Sequence, residues 1–249
     1  AGYSLVPDYR WLMLADNQQN TSEFILTINY DGLKTQNYGG TTFLTHAAVG
    51  GSMIAANYGI GGGWGGIRTT KNLPNLFPDY TGDLDHRAQF YTEGQNIDIN
   101  QQSQFTDGFA ITKYKNLTRE GANGSSLDYS DIDMPIFRLA EMYLIYAEAV
   151  LRSNATAKIA TAVGNSSGDI TAADLNLQFV LDERARELYW EGYRRTDLIR
   201  YGQFTSGSYL WPWKGGVKSG TSVGEYRNLY PIPSKDLSAN PNLTQNPGY

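Results

Sequence analysis

Two hydrophobic patterns divide the chain. Residues 1–130 contain short β-forming runs at 24–30 (FILTINY) and 109–117 (FAITKYKNL), and long stretches rich in glycine, asparagine and threonine separate them. Such runs between turn-forming residues are typical of strands set among loops. From residue 136 to residue 151, apolar residues recur at helical spacing instead. The sequence therefore predicts a loop-rich first part with few strands, followed by a helical part.

The first predicted helix begins near residues 131–133. Asp131 and Asp133 can cap its N-terminus, and Pro135 is tolerated in a first helical turn. Ala140 and Ala147 are small enough to let a neighbouring helix approach closely. We therefore expect this helix to pack against a second one.

The second predicted helix runs from a capping pattern at Thr171 and Asp174 to about Gly192. Three pairs of opposite charge have the spacing of helical neighbours: Glu183 with Arg186, Arg184 with Glu187, and Glu191 with Arg195. An apolar stripe accompanies them at Ala185, Leu188 and Tyr189. This helix is therefore predicted to have one solvated charged side and one packed side. Gly192 then permits a sharp turn into a short helix.

The last part of the chain returns to turns. Four prolines prevent a continuous helix there, at positions 231, 233, 241 and 247. We expect an extended tail that lies over the surface and ends, at Tyr249, at a native C-terminus. The whole pattern predicts three regions: a loop-rich region at 1–130, a helical scaffold at 131–205 and a C-terminal tail at 206–249.

Three segments resemble one known family. They are 137–152 (FRLAEMYLIYAEAVLR), 182–202 (DERARELYWEGYRRTDLIRYG) and 229–249 (LYPIPSKDLSANPNLTQNPGY). Together they closely resemble the C-terminal half of the SusD/RagB family of outer-membrane glycan-binding lipoproteins. The linker after Arg152 differs from the longer helix that is usual in the family. The resemblance implies a mainly α fold with irregular loops (α+β), built on a tetratricopeptide-like helical scaffold beside a loop-rich ligand-binding region.

The resemblance also implies partners and a location. Family members capture oligosaccharides without cleaving them, and they cover a SusC-like TonB-dependent transporter on the extracellular face of the outer membrane. They are lipid-anchored through an N-terminal half, which we expect to be missing from this chain. Apolar faces around Leu139, Tyr143, Leu188 and Tyr189 are then expected to need helices from that missing half.

Composition and charge exclude several other classes. A net charge of −5 disfavours nucleic acid as a partner. The chain has no cysteine, which excludes a disulfide scaffold and a thiol nucleophile, and its two histidines have no zinc-site spacing. No apolar run approaches 18 residues. We expect no metal and no cofactor.

Two glycine motifs match enzyme signatures only superficially. Gly61, Gly63 and Gly66 fit G-x-G-x-x-G, but no suitable strand precedes them and Pro74 interrupts the expected helix. Residues 164–168 fit G-x-S-x-G, but both histidines precede the serine, whereas an α/β-hydrolase needs its histidine downstream. We therefore predict neither nucleotide binding nor esterase activity.

Acidic residues near residue 80 allow two interpretations. Asp79, Asp83 and Asp85 lie close enough to bind calcium, but they lack the EF-hand ligand order. Asp85 and Arg87 instead favour a partly buried ion pair that joins a loop to the helical body. The helical glutamates are also interpreted as ion-paired, because a nearby arginine lowers a carboxylate pKa whereas a glycosidase acid needs a raised one. The prediction is therefore a protein that is not an enzyme.

Glycine-rich loops carry the candidate ligand-binding residues. These are Tyr38, Asn57, Tyr58, Trp64 and Arg68. Exposed rings stack on the C–H faces of sugars, while amide and guanidinium groups donate hydrogen bonds to hydroxyls. Each ring also has a packing interpretation, which for Trp64 is equally supported. Three other functions stay open: peptide capture, a glycoside hydrolase using Asp83, Asp85 or a helical glutamate, and a purely structural half-domain.

Overall fold

The computed structural model describes residues 2–153 and 170–249. Its helices are α1 (Gly40–Ala47), α2 (Leu139–Arg152), α3 (Leu177–Leu188), α4 (Arg194–Arg200) and α5 (Ser234–Ala239). Its strands are β1 (Phe24–Ile28), β2 (Phe90–Tyr91), β3 (Ala110–Ile111) and β4 (Met134–Arg138). Helices make up most of this regular structure and long loops join the short strands, which confirms the predicted fold class. The tetratricopeptide-like arrangement stays a prediction.

The chain forms two compact units, residues 1–192 and residues 193–249. The first unit contains α1 to α3 and all four strands of the described ranges. The second contains α4 and α5. The three regions predicted at 1–130, 131–205 and 206–249 stay a proposal about which parts of the chain bind and which support.

Strand β4 corrects the predicted start of the first helix. Residues 134–138 pair antiparallel with β1, and Pro135 lies opposite Thr27. The helix begins only at Leu139, after Arg138 in extended conformation. The periodic apolar residues from 136 onward therefore span the end of a strand and a helix. Asp133 does not cap the helix; its carboxylate accepts a hydrogen bond from the backbone of Tyr30 at 2.8 Å.

Helices α2 and α3 pack against each other, as the small residues predict. Ala147 of α2 and Val180 of α3 belong to one buried hydrophobic cluster. Thr171 and Asp174 do interact, since Asp174 accepts hydrogen bonds from the backbone and hydroxyl of Thr171 at 2.8 and 2.7 Å. That contact forms a turn ahead of the helix, which is capped instead by Asn176.

The end of α3 also differs from the prediction. The helix stops at Leu188 rather than near Gly192. Trp190 has φ +61° and Gly192 has φ +90°, both in the left-handed region, so the chain changes direction over these residues before α4. The predicted break and the short helix that follows it are confirmed.

The charged side of α3 is partly buried rather than fully solvated. Glu187 of α3 and Glu191 just after it belong to a set that we call the buried charge cluster: Glu23, Lys113, Arg138, Glu187 and Glu191. Arg138 is at the centre, with Nη1 3.0 Å from Glu23 Oε1 and Nε 2.8 Å from Glu191 Oε2. Glu187 pairs with Arg138 of β4, and Glu191 pairs with Arg138 and Lys113. The predicted partners of these glutamates were Arg184 and Arg195 instead. The predicted pair Glu183–Arg186 does form, at 2.8 Å.

A loop ion pair fastens the segment before β2 to α3. Arg87 Nη2 lies 2.8 Å from Asp85, and Arg87 Nη1 lies 2.6 Å from Glu183 and 3.1 Å from Glu187. The predicted role of Asp85 and Arg87, joining a loop to the helical body, is confirmed.

Two of the four apolar residues expected to need partner helices are buried within the chain. Leu188 is buried, and Tyr189 packs in a cluster with Phe77 and Ile111. Leu139 and Tyr143 are half-buried. The expectation was wrong for Leu188 and Tyr189, because the segments before residue 112 cover the C-terminal end of α3.

The second unit is not simply an extended tail. Helix α5 starts directly after Pro233, where a proline is tolerated because the first amide of a helix needs no partner. In this unit the Arg195 guanidinium lies 3.9 Å from the ring centroid of Tyr230 and donates to the Arg227 carbonyl at 2.7 Å. In neither described range is there a helix long and apolar enough to cross a bilayer.

A candidate ligand-binding surface of aromatic rings

Five rings of the first unit lie against one another and form what we call the aromatic cluster: Tyr38, Phe43, His46, Trp64 and Tyr129. Tyr38 and Trp64 are 64% and 44% exposed, and Phe43 is also exposed. Their rings meet edge to face, with centroids 6.0 Å apart for Tyr38 and Trp64. Two of the predicted ligand-binding residues are therefore brought together.

Helix α1 and the glycine-rich loop 61–66 position this cluster. Phe43 and His46 are three residues apart on α1, so they lie on the same side of the helix. The loop is fastened to the end of α1 by backbone hydrogen bonds, from Trp64 N to His46 O at 2.9 Å and from Gly66 N to Ala47 O at 2.9 Å. The ring of Trp64 is thereby held beside α1.

One face of Trp64 is covered from below. The His46 imidazole stacks on it with a centroid separation of 5.0 Å and an interplanar angle of 29°. Tyr38 and Phe43 approach at 70° and 56°, so neither covers a ring face in parallel. The indole is therefore stacked on a buried ring while Trp64 as a whole stays 44% exposed, which leaves part of it open to a ligand.

His46 itself is only 4% exposed. Its Nδ1 donates to the carbonyl oxygen of Thr42 at 2.9 Å, and its Nε2 lies 3.4 Å from the carbonyl oxygen of Leu127. A carbonyl only accepts, so the Nδ1 atom carries a proton.

Tyr38 also contacts Tyr129, with centroids 5.5 Å apart. The neighbouring Tyr38 hydroxyl raises the pKa of Tyr129, and burial and the charge of Asp128 add to that effect. Tyr129 follows Leu127, whose carbonyl lies beside His46, so the segment 127–129 borders the cluster. The cluster therefore draws on three separate segments of the chain.

Tyr58 and Asn57 differ in their surroundings. Tyr58 is 8% exposed and packs in a core cluster with Val49, Met53 and Ile60. Burial raises the pKa of its hydroxyl to about 12. Asn57 is exposed on the same short helical turn. The structure thus places the Tyr58 ring in the core, and leaves Asn57 available to solvent.

Arg68 has partners of its own in another loop. Its Nε donates to the Asp107 carbonyl and its Nη2 to the Gln102 carbonyl, both at 2.8 Å. The guanidinium lies 5.5 Å from the Phe105 ring centroid, and burial lowers its pKa. These hydrogen bonds and the ring contact hold the loop 102–107 in place.

Sequence reasoning missed Phe43, His46 and Tyr129. Phe43 and His46 share a side of a helix that the loop-rich composition of residues 1–130 concealed. Their three-residue spacing, directly after Tyr38 and two glycines, was the available signal. Tyr129 reaches the cluster through tertiary contact, for which the sequence holds no local signal.

Three of the carboxylates considered for catalysis, Glu187, Glu191 and Asp85, are held in the ionised form. Burial opposes the charge of Glu187, but Arg138 and Arg87 outweigh it and lower its pKa. For Glu191, Arg138 and Lys113 likewise overcome burial, and the pKa falls. The hydrogen bond from Arg87 lowers the pKa of Asp85 despite burial. A glycosidase acid needs the opposite shift. Within the described residues, no group of three or more acidic or histidine side chains is arranged to hold a metal.

Comparison with known proteins gives a consistent result. Residues 81–249 match the SusD family. The starch-binding protein SusD of Bacteroides thetaiotaomicron is 36% identical over 308 aligned residues, which cover all of this chain and 54% of that protein. The chain thus spans about half the length of this relative.

Solved structures resemble this fold. Surface glycan-binding protein A from Bacteroides thetaiotaomicron superposes with a TM-score of 0.66 at 24% identity, over 99% of this chain and 56% of that one. A SusD superfamily protein from Bacteroides vulgatus has a TM-score of 0.62 at 22% identity, over 100% and 55%. At these identities the likeness supports the fold alone. The family match extends over more than half of the sequence and confirms the resemblance seen in its three segments, and the chain therefore belongs to the SusD family.

Proposed function

We propose that this chain carries part of a non-catalytic oligosaccharide-binding surface, with the aromatic cluster as its contact region. The observation that carries the proposal is the arrangement of Trp64, whose ring stacks on buried His46 while the residue stays 44% exposed. A ring supported from below and fixed by its neighbours loses little freedom when a ligand stacks on it.

The energetics suit reversible capture. Ring contacts contribute about 0.5–1.5 kcal/mol each beyond the area that they bury. If sugar faces behave comparably, Trp64 and Tyr38 together supply a modest affinity, to which the exposed amide of Asn57 can add hydrogen bonds. A surface of this kind holds a sugar chain and releases it again.

Relatives support the choice of a glycan over other ligands. One is named as a starch-binding protein, and a second structure of surface glycan-binding protein A contains laminarihexaose. The lowered pKa values of Glu187 and Glu191 support binding without cleavage, because a general acid needs a raised pKa.

We extend the proposal to the cellular setting that the family resemblance implies. The protein would act at the extracellular face of the outer membrane, lipid-anchored through an N-terminal region, and deliver oligosaccharide to a SusC-like TonB-dependent transporter. It would pair with a further half of the same protein, which corresponds to the part of the relatives that this chain does not match. Co-purification with an outer-membrane transporter from the native cell envelope tests this setting, and recovery of the protein without one contradicts it.

Titration of the protein with neutral oligosaccharides tests the binding proposal. Maltoheptaose and laminarihexaose are titrated by calorimetry into the wild type and into Trp64→Ala. We expect about tenfold weaker binding for the variant, equivalent to about 1.4 kcal/mol. Tyr80→Ala is the matched control, because Tyr80 is an exposed ring that contacts Phe109 and lies outside the cluster.

Three outcomes would count against the proposal. An unchanged dissociation constant for Trp64→Ala removes this ring from the site. Binding of a peptide pool, with no response to any glycan on an array, identifies a peptide-capturing protein instead. Release of new reducing ends from a polysaccharide identifies a hydrolase.

A further inference from the structure

His46 combines deep burial with contact to an exposed ring. His46 belongs to no catalytic or metal-binding sequence motif. Its imidazole is the only buried ring among the described members of the aromatic cluster. The two residues are also joined through the main chain, because the Trp64 amide donates to the His46 carbonyl at 2.9 Å. Backbone and side chain therefore fix Trp64 against the same residue.

We propose that His46 is a positioning residue that fixes the plane of the Trp64 ring for ligand stacking. The proposal rests on the proposed function of the aromatic cluster. His46 lies beneath the indole and does not itself contact the ligand.

The imidazole is well suited to fix a plane. Its Nδ1–H donates to Thr42 O at 2.9 Å, one turn earlier on the same helix. Rotation about either side-chain bond would break this hydrogen bond inside a buried site and leave the ring N–H without a partner. A phenyl or aliphatic side chain lacks a bond of this kind. The plane of the imidazole, and with it that of the stacked indole, is thereby set.

The other edge of His46 lies between the two loops that carry Trp64 and Tyr129. Nε2 lies 3.4 Å from the carbonyl of Leu127, and that carbonyl accepts a hydrogen bond from Gly61 N at 3.0 Å. Gly61 opens the loop of Trp64, and Leu127 precedes Tyr129. His46 thus lies where both loops meet, so its removal would loosen Trp64 relative to Tyr38 and Tyr129.

Three substitutions separate the ring from its hydrogen bond. His46→Ala removes both, His46→Gln keeps a polar chain without a ring, and His46→Phe keeps a stacking ring without the donor. We expect oligosaccharide binding to weaken about threefold to tenfold in the first two variants, the size of one ring contact. His46→Phe should restore only part of the affinity, because it keeps the stacked ring but lacks the hydrogen bond that fixes the plane of that ring. His86→Ala is the control, since His86 is exposed in another loop.

A spectroscopic measurement tests the inference independently of any ligand. Near-ultraviolet circular dichroism of the wild type minus that of Trp64→Phe isolates the band of this one indole. We expect that band to shrink most in His46→Ala and His46→Gln, to be partly retained in His46→Phe and to be unchanged in His86→Ala. Thermal melts followed in the far ultraviolet identify any variant that fails to fold. If His46→Ala or His46→Gln fails to fold, the comparison of His46→Phe with the wild type tests the positioning role.

The outcomes distinguish the two proposals. If the wild type binds no glycan but the Trp64 band still depends on a ring at residue 46, the proposed function fails and the positioning role holds. If glycan binds but both the band and the affinity are unchanged in folded His46→Ala and His46→Gln, the positioning role is overturned. Equal losses in His46→Phe and His46→Ala would also overturn it, because they would show that stacking is not what matters.

Discussion

The ammonium group of Lys113 lies 2.6 Å from a carboxylate oxygen of Glu191, and both side chains are completely buried. The same ammonium donates to the carbonyl of Tyr189 at 2.8 Å and lies 4.4 Å from that residue's ring centroid. Isolated charges are costly to bury, so this pair persists because each charge has several partners. The loop-rich part of the first unit is thus joined to the end of α3 by a charge that cannot be exposed without opening the core.

Alkaline pH should relieve part of the cost of burying Lys113. Burial lowers the pKa of Lys113 to about 8, against a usual 10.5. Above pH 8 the folded protein releases this proton while the unfolded chain keeps it. Stability therefore rises between about pH 8 and pH 10.5, relative to a protein without the lysine. We expect the free energy of unfolding of the wild type, minus that of Lys113→Met, to increase by a few kcal/mol over this pH range.

Comparison with the variant is needed because other groups titrate nearby. Burial raises the pKa of Tyr9, Tyr114 and Tyr189, and raised tyrosine pKa values lower stability as the pH exceeds 10. Urea unfolding of wild type and Lys113→Met at half-unit pH steps separates the two effects. A difference that stays constant from pH 7 to pH 10.5 would contradict the assignment to Lys113.

Removal of Arg138 should destabilise the fold strongly. Its guanidinium contacts Glu23, Glu187 and Glu191, and Arg138→Met would leave these carboxylates buried with too little positive charge. Loss of one partner from a buried ion pair costs about 3–5 kcal/mol. Chemical denaturation measures the change. The matched control is Arg10→Met, whose exposed pair with Asp8 should be worth less than about 1 kcal/mol, and equal effects of the two substitutions would refute the role of the cluster.

Acidic pH should lower the stability of the fold partly through protonation of Glu187. Its folded-state pKa lies below the usual 4.5, so its contribution to stability is complete above pH 4.5 and is lost as the pH falls through the folded value. The stability advantage of the wild type over Glu187→Gln should therefore shrink on acidification below pH 4.5. Thermal melts between pH 3 and pH 7 measure it, with the exposed Glu120→Gln as control. Burial raises the pKa of Glu23 in the same cluster, so only the pairwise comparison isolates Glu187.

The sequence predicted the fold best where local signals and tertiary pairing agree. The β-forming run at 24–30 did become strand β1, and the break near Gly192 is present. The strand at 134–138 was missed because Met134, Ile136 and Phe137 fit a helical period as well as a strand. Pairing with β1, a contact about 110 residues away along the chain, decided between them. Short apolar runs carry no information about such a partner.

The candidate site divided in a similar way. The pattern of an aromatic residue beside glycines left exposure and packing both open, and the structure exposes Tyr38 and Trp64 while the same pattern at Tyr58 produced a core residue. Glycine permits a sharp turn but does not determine which side of the turn a neighbouring ring occupies. The ion pairs predicted for Glu187 and Glu191 were wrong for a related reason. Spacing along a helix indicates which of its residues can pair with each other, whereas Arg138, which pairs with both glutamates, lies on β4.

Tyr38→Ala should weaken oligosaccharide binding less than Trp64→Ala does. Tyr38 is the more exposed ring, but it meets Trp64 edge to face and therefore offers a smaller flat surface beside it. We expect a loss of about twofold to tenfold, within the range of one aromatic contact. Calorimetric titration with the same oligosaccharides measures it. Tyr58→Phe should leave the affinity unchanged, and a loss in that variant larger than in Tyr38→Ala would mean that ligand reaches a residue buried here.

Adjacent glycines in the Trp64 loop should respond oppositely to alanine. A Cβ added at Gly63 would overlap the carbonyl of Val49, a backbone atom that cannot turn aside, whereas one at Gly62 would meet nothing within 4 Å. Gly63→Ala must therefore shift the loop or α1, at a cost of about 1–3 kcal/mol, and it should displace Trp64 from His46. Gly62→Ala should preserve both stability and affinity, since neither a neighbouring atom nor a positive φ opposes it. Thermal melts and glycan titration of the two variants, which differ by one position, check the expectation. Equal behaviour would show that the close approach of loop 61–66 to α1 does not support the ring.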